Sequence, residues 1–95
     1  MRLDGKVAII TGAASGVKGE VMGYGGAAAW LFAREGAKIV IADLKEEQAE
    51  KTASQIRESG AEAIFLKLDV TDEQNWKSVI NTTVSKFGKL DILVN

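Results

Sequence analysis

Four short apolar runs, each closing on a small or polar residue, constrain the fold of this 95-residue chain more than any other feature. Residues 7–10 lead into Thr11, residues 38–42 into Asp43, residues 63–68 into Asp69, and residues 90–94 into Asn95. Runs of that length fill buried strands, and strands alternating with helical periods predict a parallel α/β sheet. Each strand then carries a polar group to its C-terminal tip, the rim at which open α/β sheets bind ligands.

Between the runs, residues 27–35, 45–59 and 72–87 read as three helices, stopped by Gly36, Gly60 and Gly88. Trp30, Leu31 and Phe32 make the first the most apolar. Ala49, Ala53 and Ile56 give the second a narrow stripe of small residues suited to lying close on a sheet. Thr71 and Gln74 have capping-box spacing for the third, whose Trp76, Val79, Ile80, Thr83, Val84 and Phe87 predict a core stripe. Glu46, Glu47, Glu50 and Lys51 predict a solvated face. Right-handed crossovers allow strands two and three to lie successively on one side of strand one, with strand four on the other. That order, 3-2-1-4, places the switch point beside the loop after strand one. An order 2-1-3-4 fits the same alternation.

With 46% hydrophobic and 26% charged residues the composition is that of one small globular domain. A net charge of −1 argues against an electrostatic nucleic-acid or membrane partner. The absence of cysteine and histidine excludes a disulfide framework and the usual zinc sites, so no metal is expected. Residues 1–6 are charged and lack the apolar core of a leader, and no run approaches the ~18 apolar residues of a membrane span. A cytoplasmic protein is the expectation.

The loop Thr11-Gly12-Ala13-Ala14-Ser15-Gly16 suits a turn whose amides are aimed at a phosphate, although small residues after a strand also make an ordinary tight turn. Asp43 gives the loop a specific meaning. A carboxylate at the tip of the second strand accepts hydrogen bonds from both hydroxyls of an adenosine ribose and repels a 2′-phosphate, which predicts NAD over NADP. The same residue is also placed to cap the next helix. Asp69 with Val70 either frames an adenine ring or starts the helix after Thr71. Ser15 either bonds a ribose or phosphate oxygen or satisfies its own turn.

Together with the ending Asp91-Ile92-Leu93-Val94-Asn95, these motifs resemble the short-chain dehydrogenase/reductase family. The resemblance runs the length of the chain and corresponds to roughly the first 40 per cent of a family member. It implies a partial Rossmann (doubly wound) α/β fold: a parallel four-stranded sheet, order 3-2-1-4, with three helices. Residues 1–95 are then one truncated NAD-binding domain. Its parent would be an oxidoreductase that interconverts a secondary alcohol and a carbonyl by hydride transfer, as a homo-oligomer. The implied cofactor-binding residues are Gly12, Ser15, Gly16, Gly25, Asp43, Asp69, Val70 and Asn95. The family's catalytic serine, tyrosine and lysine, the last two as Tyr-x-x-x-Lys, lie beyond residue 95. The only tyrosine here is Tyr24, and Ala28 stands where the lysine should follow. No catalytic residue is assigned, and the chain is expected to be inactive alone.

The chain departs from the family pattern at the loop. Lys18 stands where a third glycine belongs, and the family's helix sequence resumes only at Gly25-Gly26-Ala27-Ala28-Ala29-Trp30. Residues 17–24 thus occupy the place of one residue. Asp43 lies 31 residues after Gly12, against the usual spacing of about 20. The insert either loops out and leaves Gly25 near its family position, or displaces the helix start and ruins the cradle. Gly19, Gly23, Gly25 and Gly26 favour looping out, with weakened binding. Lys18 reads as solvated. The fourth strand, as an apolar edge, and the face carrying only the third helix predict a marginally stable product. The rival readings are a non-catalytic nucleotide-binding or dimer-poisoning fragment and a non-functional truncated product.

Overall fold

All residues of β1 (Val7–Thr11) are buried, and the rest of the molecule is arranged about that strand. The computed structural model describes residues 2–95; Met1, part of the charged opening segment, lies outside them. In chain order β1 is followed by α1 (Tyr24–Arg34), β2 (Lys38–Asp43), α2 (Glu46–Glu58), β3 (Ala63–Lys67), α3 (Glu73–Phe87) and β4 (Ile92–Val94). The four strands form one parallel sheet in the order β3-β2-β1-β4, so the 2-1-3-4 alternative is excluded. Ile9 pairs with Val40 on one side and with Leu93 on the other.

The uninterrupted apolar runs of β1 and β2 are explained by burial on both faces. Successive side chains point to opposite sides of a strand. Ala8, Ile10, Ile39 and Ile41 therefore pack under α1 and α2, against Ala29, Ala33, Ala49, Ala53 and Ile56. Ile9, Val40 and Ala42 face the other way and meet Leu68 and Val79, beneath α3. The alanines let α1 and α2 lie close to the sheet, as the stripe in the sequence predicts. Gly36, Gly60 and Gly88 follow the three helices in the left-handed region that favours glycine.

Several boundaries differ from the sequence reading. α1 begins at Tyr24 and not at residue 27, because Gly23 adopts the extended backbone of an N-cap and the last insert residue joins the helix. The cap of α3 is Asp72, not Thr71: its Oδ1 accepts from the amides of Gln74 at 3.0 Å and Asn75 at 3.2 Å. A carboxylate in extended conformation reaches both orphan amides, which releases Thr71 to another partner. On α3 Val79 and Thr83 are buried and Trp76, Ile80 and Phe87 half-buried, but Val84 is 41% exposed. The sheet lies under one flank of α3, so the predicted stripe is wider than the contact. β3 ends at Lys67 and β4 starts at Ile92, where the Asp91 amide has just joined the Val7 carbonyl. β4 is one edge of the sheet, opposite β3, and its Leu93 is 50% exposed. Among the described residues no helix is long and apolar enough to cross a membrane.

Candidate functional site

The loop after β1 turns at Gly12, whose amide donates to the Ala42 carbonyl at 3.1 Å and whose φ is +66°. A Cβ there would meet nothing within 4 Å, so the outer side of the turn at Gly12 is open. The chain then runs under α2. Ala13, Ala14 and Val17 are buried, and the buried Thr52 hydroxyl donates to the Ala14 carbonyl at 2.9 Å. Gly16 is wedged between helices: a Cβ on it would lie 2.8 Å from Thr52 Cγ2 and 3.0 Å from the Gly26 Cα. The Trp30 indole N–H donates to the Gly16 carbonyl.

Of the insert, residues 18–23 loop out, while Val17 stays buried and Tyr24 begins α1. At one end the Lys18 amide donates to Gln55 Oε1 at 2.7 Å, and the Lys18 ammonium lies 5.9 Å from the centre of the Trp30 ring. At the other end the Gly23 amide donates to the Ser15 hydroxyl at 3.1 Å and to the Ser15 carbonyl at 3.2 Å. Between these anchors the chain leaves the body of the fold, and Val21 is 96% exposed. Immediately after the insert, Gly25 sits on the β1 tip, where an added Cβ would lie 2.5 Å from the Gly12 carbonyl oxygen. The start of α1 is therefore beside the loop and not displaced from it. Its N-cap is glycine and its first turn holds no acidic residue, so the positive end of the helix is not neutralised by its own side chains.

Asp43 reaches this loop. Its Oδ2 accepts from the Ala14 amide at 3.2 Å and its Oδ1 from the Lys45 amide at 3.0 Å. Lys45, not Asp43, is the N-cap of α2, because Asp43 lies two residues too early and its Oδ1 folds the chain into the helix through the Lys45 amide instead. A carboxylate oxygen that accepts one hydrogen bond can accept another, so both remain competent toward a ligand hydroxyl.

Asp69 braces the turn that leads into α3. Its Oδ1 accepts from the Thr71 hydroxyl at 2.7 Å and the Thr71 amide at 2.9 Å, which together hold the carboxyl below the usual carboxylate range. Val70 is 55% exposed beside it, and its carbonyl accepts from the Trp76 indole. Asn95 joins the tips of β1 and β4: the Thr11 hydroxyl lies 3.2 Å from both the Asn95 side-chain oxygen and the Val94 carbonyl. Gly12, Ser15, Gly16, Gly25 and Asp43 thus converge around one loop. Asp69 and Val70 stand at the β3 tip, and Asn95 at the β4 tip.

Thr52, Asn75 and Thr11 support the site without having been assigned to it from sequence. Asn75 accepts from the Asp69 amide at 2.7 Å and donates to the Lys67 carbonyl at 3.1 Å, fixing the turn after β3. The signal for Thr52 is its place inside the small-residue stripe, between Ala49 and Ala53, where a hydroxyl must find a buried acceptor.

At the opposite rim Asp91 Oδ2 accepts from the Val7 amide at 2.9 Å and meets Lys89 Nζ at 3.2 Å. The Val7 amide, aided by Lys89, keeps that carboxyl below the ordinary range. A lowered folded pKa means stability that is present above the unfolded value and lost as pH falls through the folded one. With Asp69 and Asp91 both lowered, the denaturant midpoint is expected to be flat above about pH 5 and to fall below about pH 4. Urea titrations across that interval check this, and an unchanged midpoint below about pH 3 contradicts it.

Residues 6–95 match the family model of short chain dehydrogenases. The chain belongs to that family. It is 49% identical over 94 residues to 2,5-dichloro-2,5-cyclohexadiene-1,4-diol dehydrogenase LinX of Sphingobium indicum, covering 99% of this chain and 35% of that protein. It is 39% identical over 95 residues to the 7alpha-hydroxysteroid dehydrogenase of Escherichia coli K12, covering 100% of this chain and 34% of the relative. The crystal structure of hydroxysteroid dehydrogenase from Escherichia coli superposes with a TM-score of 0.88 at 39% identity, over 99% of this chain and 37% of that one. The chain spans about a third of the length of the curated relatives it matches. Short-chain dehydrogenases bind NAD(P) cofactors. The strand tips suit such a group: an open outer side to the turn at Gly12, a glycine contact that brings α1 to the loop, and a carboxylate beside them.

Proposed function

We propose that this chain is the NAD-binding domain, residues 1–95, of a cytoplasmic, homo-oligomeric short-chain dehydrogenase. Its reaction class is the interconversion of a secondary alcohol and a carbonyl on a small-molecule substrate. The observation that carries the reading is the contact of Asp43 with the Ala14 amide, which ties the tip of β2 to the glycine loop. When bound, the cofactor supplies hydride exchange. The chain's own residues bind and orient it. Gly12 and Gly25 let backbone approach the pyrophosphate, and the first turn of α1 offers it free amides. Ser15 accepts from Gly23 and keeps its O–H as a donor toward a phosphate oxygen. Asp43 receives the adenosine ribose hydroxyls and disfavours a 2′-phosphate, so NAD is preferred to NADP. Asp69 and Val70 border the adenine, and Asn95 borders the nicotinamide side.

No residue of this segment is assigned to proton transfer, since Tyr24 begins α1 and the position four residues on is Ala28. The catalytic serine, tyrosine and lysine are proposed to come from outside the matched third of the relatives. Calorimetric titration of the 95-residue chain with NAD+ is expected to give a Kd between roughly 1 μM and 1 mM without turnover of any alcohol. Heat no different from dilution at millimolar NAD+ overturns the reading.

A further inference from the structure

We propose that the cleft at the N-terminal rim of the sheet, lined by Lys38, Ile64, Lys86 and Phe87, is a second ligand site, for a small aromatic carboxylate. The two lysines recognise the charge, and Phe87 and Ile64 receive the ring. The site is remote from the strand tips and does not rest on the NAD-binding reading.

Lys38 opens the otherwise apolar run of β2. It differs in this from Arg34, Arg57 and Lys86, which stand in the last turns of the three helices, where a cation complements the dipole. Two residues before Val40, it shares the face of the sheet that lies beneath α3. Its ammonium lies 5.8 Å from the centre of the Phe87 ring. Both side chains line a cleft of about 520 Å³ between the C-terminal ends of α2 and α3, over Ala63 and Ile64 at the start of β3. Small-molecule sites have volumes of about 300–1,000 Å³.

Four charged side chains border the cleft: Lys38, Arg57, Glu62 and Lys86. Arg57 is committed to the fold, donating to the Ala63 carbonyl and to Glu50 Oε1, both at 2.9 Å. Lys86 makes no ion pair among the described residues. Lys38 meets Glu62 only at 3.7 Å, and that carboxylate is 63% exposed. So long and solvated a contact contributes little, and Glu62 can turn to water. Two ammonium groups are thereby left for an anion. Carbonyls at the two helix ends are bonded by the amides of Ser59, Gly60 and Gly88, which reduces the negative charge they present to the cleft. Bonds from ammonium to carboxylate belong to the strong, charge-assisted class, and a flat ring gains apolar contact against Phe87.

The test titrates the isotope-labelled 95-residue chain with 2-naphthoate and follows its backbone amides by NMR. Saturating shifts are expected at residues 61–64, 86 and 87, with a Kd of about 0.1–1 mM. 2-Naphthamide, which carries the same ring without the charge, is expected to bind at least about tenfold more weakly. Lys38→Met, which keeps the apolar stem, and Lys86→Gln are each expected to weaken naphthoate by about threefold to tenfold. Dispersed spectra establish that both variants fold. Shifts that do not saturate by about 5 mM, or that are confined to residues 12–16 and 43, overturn the inference. Equal affinity for 2-naphthamide, or a Kd unchanged in either lysine variant, overturns it as well. The NAD-binding reading stands or falls separately, on its own calorimetric titration.

Discussion

Replacing Gly25 by alanine is expected to lower the Tm by roughly 5–15 °C and to weaken NAD+ binding more than tenfold. Alanine in a helix ordinarily gains up to about 1 kcal/mol over glycine. Here the new methyl would lie 2.5 Å from the Gly12 carbonyl oxygen, 2.8 Å from its carbon and 3.0 Å from the Thr11 oxygen. All three are backbone atoms at the end of a buried strand, so no side-chain rotation relieves the overlap. The helix must lift from the β1 tip, at a cost of about 1–3 kcal/mol beyond the propensity gain. Its amides then leave the position they hold beside the loop. Gly23→Ala is the matched control. Its added methyl meets only the Ser15 side chain, at 2.6 Å from Oγ; that hydroxyl can rotate away, giving up its bond from the Gly23 amide while the Ser15 carbonyl keeps its own, so a smaller loss is expected. Thermal melts and calorimetry on the two variants check the prediction, and equal behaviour in Gly25→Ala and Gly23→Ala refutes it.

Asp43→Asn is expected to reduce NAD+ affinity by about tenfold to a hundredfold and to raise the NADP+/NAD+ affinity ratio by at least about tenfold. Hydrogen bonds from hydroxyls to an ionised carboxylate contribute about 1.5–3 kcal/mol, and the amide retains one neutral acceptor. Removing the negative charge also removes repulsion of a 2′-phosphate. Asp43 bonds the Ala14 amide through one oxygen and the Lys45 amide through the other, so asparagine keeps one of these bonds, whereas alanine would lose both and loosen the loop as well as empty the ribose site. Parallel titrations with NAD+ and NADP+ decide the matter. A cofactor ratio equal to that of the unaltered chain removes Asp43 from ribose recognition.

The architecture was legible because its signals are local and redundant. The runs 7–10 and 39–42 are apolar throughout since both strands are buried on two faces, and glycine follows each helix where a left-handed residue is needed. Where two residues compete for one local task, sequence spacing did not separate them. Thr71 and Asp72 both suit the cap of α3, and only the backbone conformation gives it to Asp72. Val84 has the same helical phase as core residues, yet the sheet does not extend beneath it.

The strand tips divide in the same way. That Gly12, Asp43, Asp69 and Asn95 stand at C-terminal ends of parallel strands follows from periodicity and the handedness of crossovers, which are short-range steric rules. How those tips touch depends on contacts between residues far apart in the chain. The Ala14 amide reaches Asp43 across 29 positions, and Thr11 reaches Asn95 across 84. The fate of the insert is the sharpest case. Its glycines permit looping out, but what holds α1 on the β1 tip is the bonding of Gly23 to Ser15, of Trp30 to Gly16 and of Lys18 to Gln55. Patterns along a chain report the conformations that each segment tolerates. Packing between segments selects among them, because a contact exists only when both partners are in place.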